Sequence, residues 1–120
     1  MGKHILVIDD DLGIREMLEA ILDFEGYGVT VVPGGIEALQ RIEAKLPDLI
    51  ILDIMMPIMD GYAVAAELER RGYRPTIPVL ALTADGRAAQ KAAEIGAEDF
   101  LAKPFIMEDL LKKIQNLIQK

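Results

Sequence analysis

The residues best suited to chemistry each stand directly after a short apolar run. Asp9 and Asp10 follow the first run, Asp53 the third, Thr83 the fourth and Lys103 the fifth. The carboxyl ends of the strands in a parallel α/β sheet lie at one edge, where ligands bind, so these side chains should meet there. The spacing therefore predicts a site with three carboxylates, one hydroxyl and one ammonium group.

This combination of groups favours a metal ion and a phosphoryl group. Crowded carboxylates repel and raise one another's pKa unless a cation joins them. Mg²⁺ suits the set because it is usually held by one or two carboxylates together with waters and phosphate oxygens. An anion with several oxygens, such as a phosphoryl group, would complete the site beside Lys103 and Thr83. One carboxylate is then a potential nucleophile that forms an aspartyl phosphate.

Asp53 has the most distinctive surroundings of the three acids. It ends the run Leu-Ile-Ile-Leu at 49–52, which predicts a short strand buried on both faces. A charge at the end of a buried strand is costly unless it is paired or has a function. Pro57 and the pair Asp60-Gly61 follow, and these indicate a loop and the start of a helix.

Hydrophobic periodicity predicts five strands that alternate with five helices. The crossovers should be right-handed, which gives a doubly wound five-stranded parallel sheet covered on both faces. The strands are expected at residues 3–8, 29–32, 49–52, 77–82 and 99–102. The helices are expected at 12–25 with Asp11 as N-cap, 36–45, 61–71 with Asp60 as N-cap, 86–95, and from 105 or 106 to the C-terminus. Residues 1–120 are expected to form one domain.

Composition narrows the classes of function. The chain has 120 residues and no cysteine, so disulfides, thiol chemistry and thiolate metal sites are excluded. Its net charge of −7 argues against a nucleic-acid-binding surface on this domain. No apolar run is long enough to span a bilayer, and the first strand leaves no room for a signal peptide. We therefore expect a cytoplasmic protein without membrane contact.

Taken together, the motifs resemble those of response-regulator receiver domains, including the chemotaxis regulators. They are Asp9-Asp10, Asp53 with Met56-Pro57 and Asp60-Gly61, Thr83-Ala84, and Lys103-Pro104-Phe105. They occur in the order and spacing of that family and cover the whole chain. The resemblance implies the flavodoxin-like (βα)5 fold with strand order 2-1-3-4-5.

The resemblance also implies the roles of the acidic residues. Asp53 would be the phosphoacceptor for a histidine kinase or phosphotransfer protein in a two-component system or phosphorelay. Asp9 and Asp10 would hold Mg²⁺ with Asp53 and the backbone carbonyl of Met55. The domain would be no enzyme beyond weak intrinsic phosphoryl transfer and hydrolysis of its own aspartyl phosphate.

Further implied roles concern the switch. Lys103 would contact the phosphoryl group, aimed by a cis peptide bond at Pro104, and Thr83 would be the switch hydroxyl. Phe100 is either an aromatic switch residue or part of the core, and Thr83 could also cap a helix. The segment 85–95 has few large apolar residues, so we expect it to be among the least stable parts. The signal should then reach a downstream partner or a second receiver copy through the face of helix 4, strand 5 and helix 5.

Two other classes of protein remain for comparison. A pseudo-receiver, an interaction domain that is never phosphorylated, would be expected to lack Asp53, Lys103 or the acidic pair. A different α/β protein, such as a flavodoxin or a phosphatase with an aspartate nucleophile, should show other signals. Those are a Ser/Thr/Gly-rich loop after the first strand or a DxDx[TV] strand end, and neither occurs here.

Overall fold

A five-stranded parallel sheet with helices on both faces forms the domain, in a computed structural model that describes residues 2–84 and 86–118. The strand order is β2-β1-β3-β4-β5 and every neighbouring pair is parallel, which confirms the predicted doubly wound fold. The strands are β1 (His4–Ile8), β2 (Gly28–Val32), β3 (Leu49–Asp53), β4 (Val79–Thr83) and β5 (Asp99–Ala102). The helices are α1 (Leu12–Phe24), α2 (Gly35–Ala44), α3 (Gly61–Arg70), α4 (Ala88–Ile95) and α5 (Met107–Ile118).

The central strands bury both of their faces because alternate side chains enter two different apolar clusters. Leu6 and Ile8 of β1 pack on one face in a cluster that includes residues of α2 and α3. Ile5 and Val7 point the other way, into a cluster that includes residues of α1 and α5. All five residues of β3 are buried. A strand held on both faces fixes the position of the residue at its end, which here is Asp53.

Two aspartates cap the N-termini of α1 and α3, at the positions that the sequence predicts. Asp11 Oδ1 accepts a hydrogen bond from Ile14 N at 3.0 Å, and Asp60 Oδ1 accepts one from Ala63 N at 3.0 Å. Each satisfies a backbone donor at the first turn, which has no partner within the helix. Gly61 is required after Asp60, because a Cβ there would lie 2.6 Å from the Cα of Ile54. The predicted caps are thus confirmed.

Two predicted boundaries were wrong by two residues each. Strand β4 begins at Val79, not at residue 77, because Pro78 has no N–H to donate to the sheet. Helix α4 begins at Ala88, not at residue 86, and its N-cap Arg87 makes no capping hydrogen bond through its side chain. The buried residues of α4 are Ala88 and Ala92, both small. Asp85, in the segment expected to be least stable, lies outside the described residues, as do residues 119 and 120 of the last predicted helix.

The loop between β3 and α3 contains an unusual backbone conformation. Ile58 has φ of 68°, the left-handed region that β-branched residues rarely adopt. The N–H of Met59 bonds to the carbonyl of Pro57 at 2.7 Å, so the chain turns tightly around Ile58.

No helix among the described residues is long and apolar enough to cross a membrane.

Candidate functional site

Three acidic side chains meet at the carboxyl edge of the sheet. Strands β1 and β3 are neighbours, with Ile8 paired to Leu52, so the residues that follow them emerge side by side. Carboxylate oxygens of Asp9, Asp10 and Asp53 all lie within 4.8 Å of one another. Asp9 and Asp53 are buried and Asp10 is exposed, so the cluster has one side open to an approaching ligand.

Asp53 is the acid most strongly affected by this environment. Only 3% of it is exposed, and its Oδ1 accepts a hydrogen bond from Met55 N at 3.2 Å. Burial and then the charge of Asp9 raise the pKa of Asp53 to about 7, against the opposing effect of Lys103. The carboxylate is therefore close to its protonation midpoint at neutral pH, and a nearby cation would favour its ionised form.

Lys103 lies between the two buried acids. Its Nζ is 2.9 Å from Asp9 Oδ2 and 3.6 Å from Asp53 Oδ2. Burial acts to lower the pKa of Lys103, but the hydrogen bond to Asp9 and the two negative charges raise it overall. The lysine is thus a fixed cation at the site. It is bound more closely to Asp9 than to Asp53, which the sequence did not indicate.

Strand β4 positions the hydroxyl of Thr83 and also the backbone of Lys103. Thr83 is fully buried at the end of β4, and its carbonyl accepts a hydrogen bond from Lys103 N at 2.8 Å. The peptide bond between Lys103 and Pro104 is cis. Since Asp53 pairs with Leu82 in the sheet, Thr83 belongs to the strand directly beside the acid.

Phe100 lies in an apolar cluster and not among the carboxylates. It is half-buried on β5 opposite Ala81, and it packs against a small cluster that also includes Ala92 of α4. Lys113 Nζ of α5 lies 5.3 Å from the centre of its ring, within range of a cation–π contact. Tyr62 of α3 packs on the same cluster, so this cluster connects α4 with the start of α3.

Sequence reasoning missed two features around the acids. Arg15 of α1 donates from Nη1 to the backbone carbonyl of Asp9 at 2.9 Å. Ile58 is 97% exposed despite its costly backbone conformation. The signal for Ile58 was available, because a β-branched residue stands between Pro57 and Met59 in a tight loop. The Arg15 contact depends on a side chain that folds back along the helix, which no sequence spacing reveals.

The donor set fits a hard divalent cation. It consists of oxygen atoms from three carboxylates with one exposed side, which matches the preference of Mg²⁺ for oxygen ligands and retained waters. The acids can therefore hold a metal ion. A carboxylate beside a bound cation and a fixed ammonium can also act as a nucleophile toward phosphorus. Met55 lies two residues after Asp53, and the part of its carbonyl in such a site stays a prediction.

Similar proteins are found over the whole chain. The family described as the response regulator receiver domain matches residues 5–115. A response regulator named MprA from Mycobacterium tuberculosis is 41% identical over 122 residues, which is all of this chain and 52% of that protein. The Mycobacterium ulcerans protein of the same name is 40% identical with the same coverage. The chain spans about half the length of the curated relatives it matches.

Solved structures show the same architecture. The Vibrio cholerae chemotaxis protein CheY4 has a TM-score of 0.89 and 32% identity, covering 98% of this chain and 99% of that one. The signal receiver domain of a histidine kinase from Syntrophus aciditrophicus has a TM-score of 0.88 and 37% identity, covering 98% and 91%. The similarity therefore concerns the whole sheet and its helices, in addition to the motif residues.

Proposed function

Because the chain belongs to the response regulator receiver domains, we propose that it is a switch that accepts a phosphoryl group on Asp53. The observation that carries the proposal is the setting of this carboxylate. It is buried at the end of the central strand, beside two other acids, with the Lys103 ammonium 3.6 Å away. The donor would be a histidine kinase or phosphotransfer protein, the partners that two-component signalling implies.

The acidic residues have distinct parts in the proposed transfer. Asp9, Asp10, Asp53 and the carbonyl of Met55 would hold Mg²⁺, which would supply positive charge to offset the negative charge of the acceptor and of the phosphoryl group. An oxygen of Asp53 attacks phosphorus while the bond from phosphorus to the donor imidazole nitrogen breaks. The imidazole leaves and takes up a proton. The aspartyl phosphate is later hydrolysed: water attacks phosphorus, the bond from phosphorus to the Asp53 oxygen breaks, and inorganic phosphate leaves as the Asp53 carboxylate is restored.

Lys103 would serve both the resting and the phosphorylated site. At rest it offsets the charges of Asp9 and Asp53, at 2.9 Å and 3.6 Å. After transfer, phosphoryl oxygens stand near the position of the Asp53 carboxylate, and the ammonium is close enough to bind one of them. Charge-assisted hydrogen bonds of this kind are about twice as strong as neutral ones.

The switch would act through Thr83 and the loosely packed helix α4. A phosphoryl oxygen on Asp53 would be a new acceptor for the hydroxyl of Thr83, which lies at the end of the adjacent strand. Movement of Thr83 would shift the loop that leads into α4. The helix can follow because its only buried residues are two alanines. Phe100 packs under the same helix and would shift with it. The readout surface is then the face of α4, β5 and α5, where a downstream partner or second receiver copy would dock.

Exposed apolar side chains at the ends of the elements that carry the site support docking of a protein donor. Leu12 begins α1, Met55 and Ile58 lie in the loop after Asp53, and Ile106 and Met107 stand at the start of α5; each is exposed. Exposed apolar side chains bury little surface within the domain itself, so they are available for contact with a partner that approaches Asp53. We propose a cytoplasmic setting and no nucleic-acid contact by this domain, consistent with its charge of −7.

Incubation with Mg²⁺ and acetyl phosphate tests the proposal without a cognate kinase. Intact-mass spectrometry should show the gain of one phosphoryl group, and chelator should prevent it. Asp109→Asn, which alters an exposed acid in the first turn of α5, is the matched control and should be modified like wild type. A protein that binds Mg²⁺ yet takes no phosphoryl group would be a pseudo-receiver, and the proposal would be wrong.

A further inference from the structure

The backbone at Asp9 is held as firmly as its side chain. Its N–H bonds to the carbonyl of Val32 at 3.2 Å, and its own carbonyl accepts Arg15 Nη1 at 2.9 Å. Its carboxylate oxygens accept from Asp11 N and Lys103 Nζ, each at 2.9 Å. Every polar group of Asp9 therefore has a partner, and Arg15 is the one that holds the carbonyl.

The position of Arg15 is unfavourable for the helix that carries it. It is the fourth residue of α1, near the helix end whose dipole is positive, and the first turn contains no acidic residue to offset it. Cations are disfavoured at that end. Its side chain bends back toward the strand end, where the carbonyl of Asp9 accepts it. The contact with the Asp9 carbonyl at the acidic site therefore explains the position of the Arg15 side chain better than helix stability does.

The carbonyl of Asp9 belongs to the same rigid peptide plane as the N–H of Asp10. Asp10 is exposed, so packing does not fix its carboxylate as it fixes Asp9 and Asp53. The orientation of that peptide plane sets where the Asp10 side chain starts and how far it reaches toward the other two acids. Arg15 is thus connected to the least constrained member of the acidic cluster through one hydrogen bond.

We infer that Arg15 is a positioning residue for divalent-cation binding, because it fixes the peptide plane that directs the Asp10 carboxylate into the site. The inference rests on the proposed function only in so far as the acids bind a cation. Among the described residues, the hydrogen bond of the Arg15 guanidinium goes to the backbone carbonyl of Asp9 and not to a carboxylate of the acidic cluster. Arg15 would therefore orient Asp10, which binds the ion. Outer partners of metal ligands commonly change metal affinity by about 10- to 100-fold.

Charge and positioning predict opposite results when Arg15 is neutralised. A cation near a metal site repels the metal, so removal of its charge alone should tighten binding. Loss of the hydrogen bond should instead free the peptide plane and weaken binding. The sign of the change therefore separates the two roles, and it does so on the unphosphorylated protein.

The experiment measures Mn²⁺ affinity, from the electron paramagnetic resonance signal of the free ion, for wild type, Arg15→Met and Arg15→Lys. Arg15→Met should bind about tenfold more weakly, and Arg15→Lys should recover part of the loss because an ammonium can donate to the same carbonyl. Arg41→Met, which removes a cation from α2, is the control and should change affinity less than about twofold. Thermal melts in chelator verify that each variant is folded.

A second readout follows the Mg²⁺ dependence of phosphorylation by acetyl phosphate. Arg15→Met should need about tenfold more Mg²⁺ for half-maximal rate, while the rate at saturating Mg²⁺ stays near wild type. Affinity of Arg15→Met equal to or tighter than wild type would overturn the inference, as would Arg15→Lys binding no better than Arg15→Met. Failure of the wild type to bind Mn²⁺ or Mg²⁺ would instead contradict the proposed function itself.

Discussion

Replacing Asp53 with asparagine should stabilise the metal-free protein, and the gain should depend on pH. The pKa of Asp53 is raised from 3.8 to about 7, chiefly by burial and by the charge of Asp9. The folded state therefore holds this proton more tightly than the unfolded state does. Between about pH 4 and pH 7 the folded protein binds more protons, so its stability falls as pH rises through that window and levels off above it.

The magnitude follows from the size of the shift. A rise of about three pKa units corresponds to about 4 kcal/mol of free energy of unfolding lost once Asp53 is ionised. The attraction of Lys103 at 3.6 Å is already included in this net shift. The figure is an upper limit because the asparagine amide has a burial cost of its own. We expect Asp53→Asn to be about 1–3 kcal/mol more stable than wild type at pH 8, and to show little or no gain at pH 4.5.

Urea unfolding in chelator, followed by far-ultraviolet circular dichroism at pH 4.5, 6, 7 and 8, measures this difference. Asp109→Asn serves as the control, since it removes one exposed carboxylate outside the acidic cluster. The gain of Asp53→Asn between pH 4.5 and pH 8 should exceed any change shown by this control. If Asp53→Asn gains no more at pH 8 than at pH 4.5, burial and the neighbouring acid do not destabilise the Asp53 carboxylate as described here.

Three further results are expected. Mg²⁺ at ten times its dissociation constant should stabilise wild type by about 1.4 kcal/mol; Asp10→Asn should shrink this gain in thermal melts, and an undiminished gain would remove Asp10 from the metal site. Tyr62→Phe deletes a 2.7 Å hydrogen bond to Glu94, so hydrogen exchange in α4 should quicken roughly two- to tenfold; unchanged exchange would mean that the contact does not hold α4. Ile58→Asn places a residue that tolerates positive φ in an exposed position, so urea melts should show equal stability or a gain of up to about 1 kcal/mol, and a clear loss would show that Ile58 is needed for the fold.

The sheet and its order could be predicted because strong local signals agreed with one topology. The apolar run of β3, the caps Asp11 and Asp60, and the long crossovers each left little freedom. The two wrong boundaries have different causes: the signal for the start of α4 was weak, whereas the start of β4 is set by Pro78, which stands in the sequence but was included in the predicted strand. Helix α4 is rich in alanine and lacks a side-chain cap, and the start of β4 depends on the missing donor of Pro78.

The composition of the site was predictable, but its internal pairing was not. Strand ends fix which residues share the edge, and for that reason the three acids meet as expected. Pairing depends on side-chain rotation and on distances of a few ångströms. Lys103 could have favoured either acid, and it lies nearer Asp9. The hydrogen bond from Arg15 to a backbone carbonyl has no sequence signal, since any residue type supplies that carbonyl.

Locating the phosphoryl group tests most directly whether Asp53 is the phosphoacceptor. After reaction with acetyl phosphate and Mg²⁺, borohydride reduction converts an aspartyl phosphate to homoserine, and peptide mass mapping identifies the altered position. We expect homoserine at position 53 in the wild type, and no reduced residue in Asp53→Asn. A reduced residue at Asp9 or Asp10, or equal labelling of Asp53→Asn, would contradict the assignment of Asp53 as the acceptor.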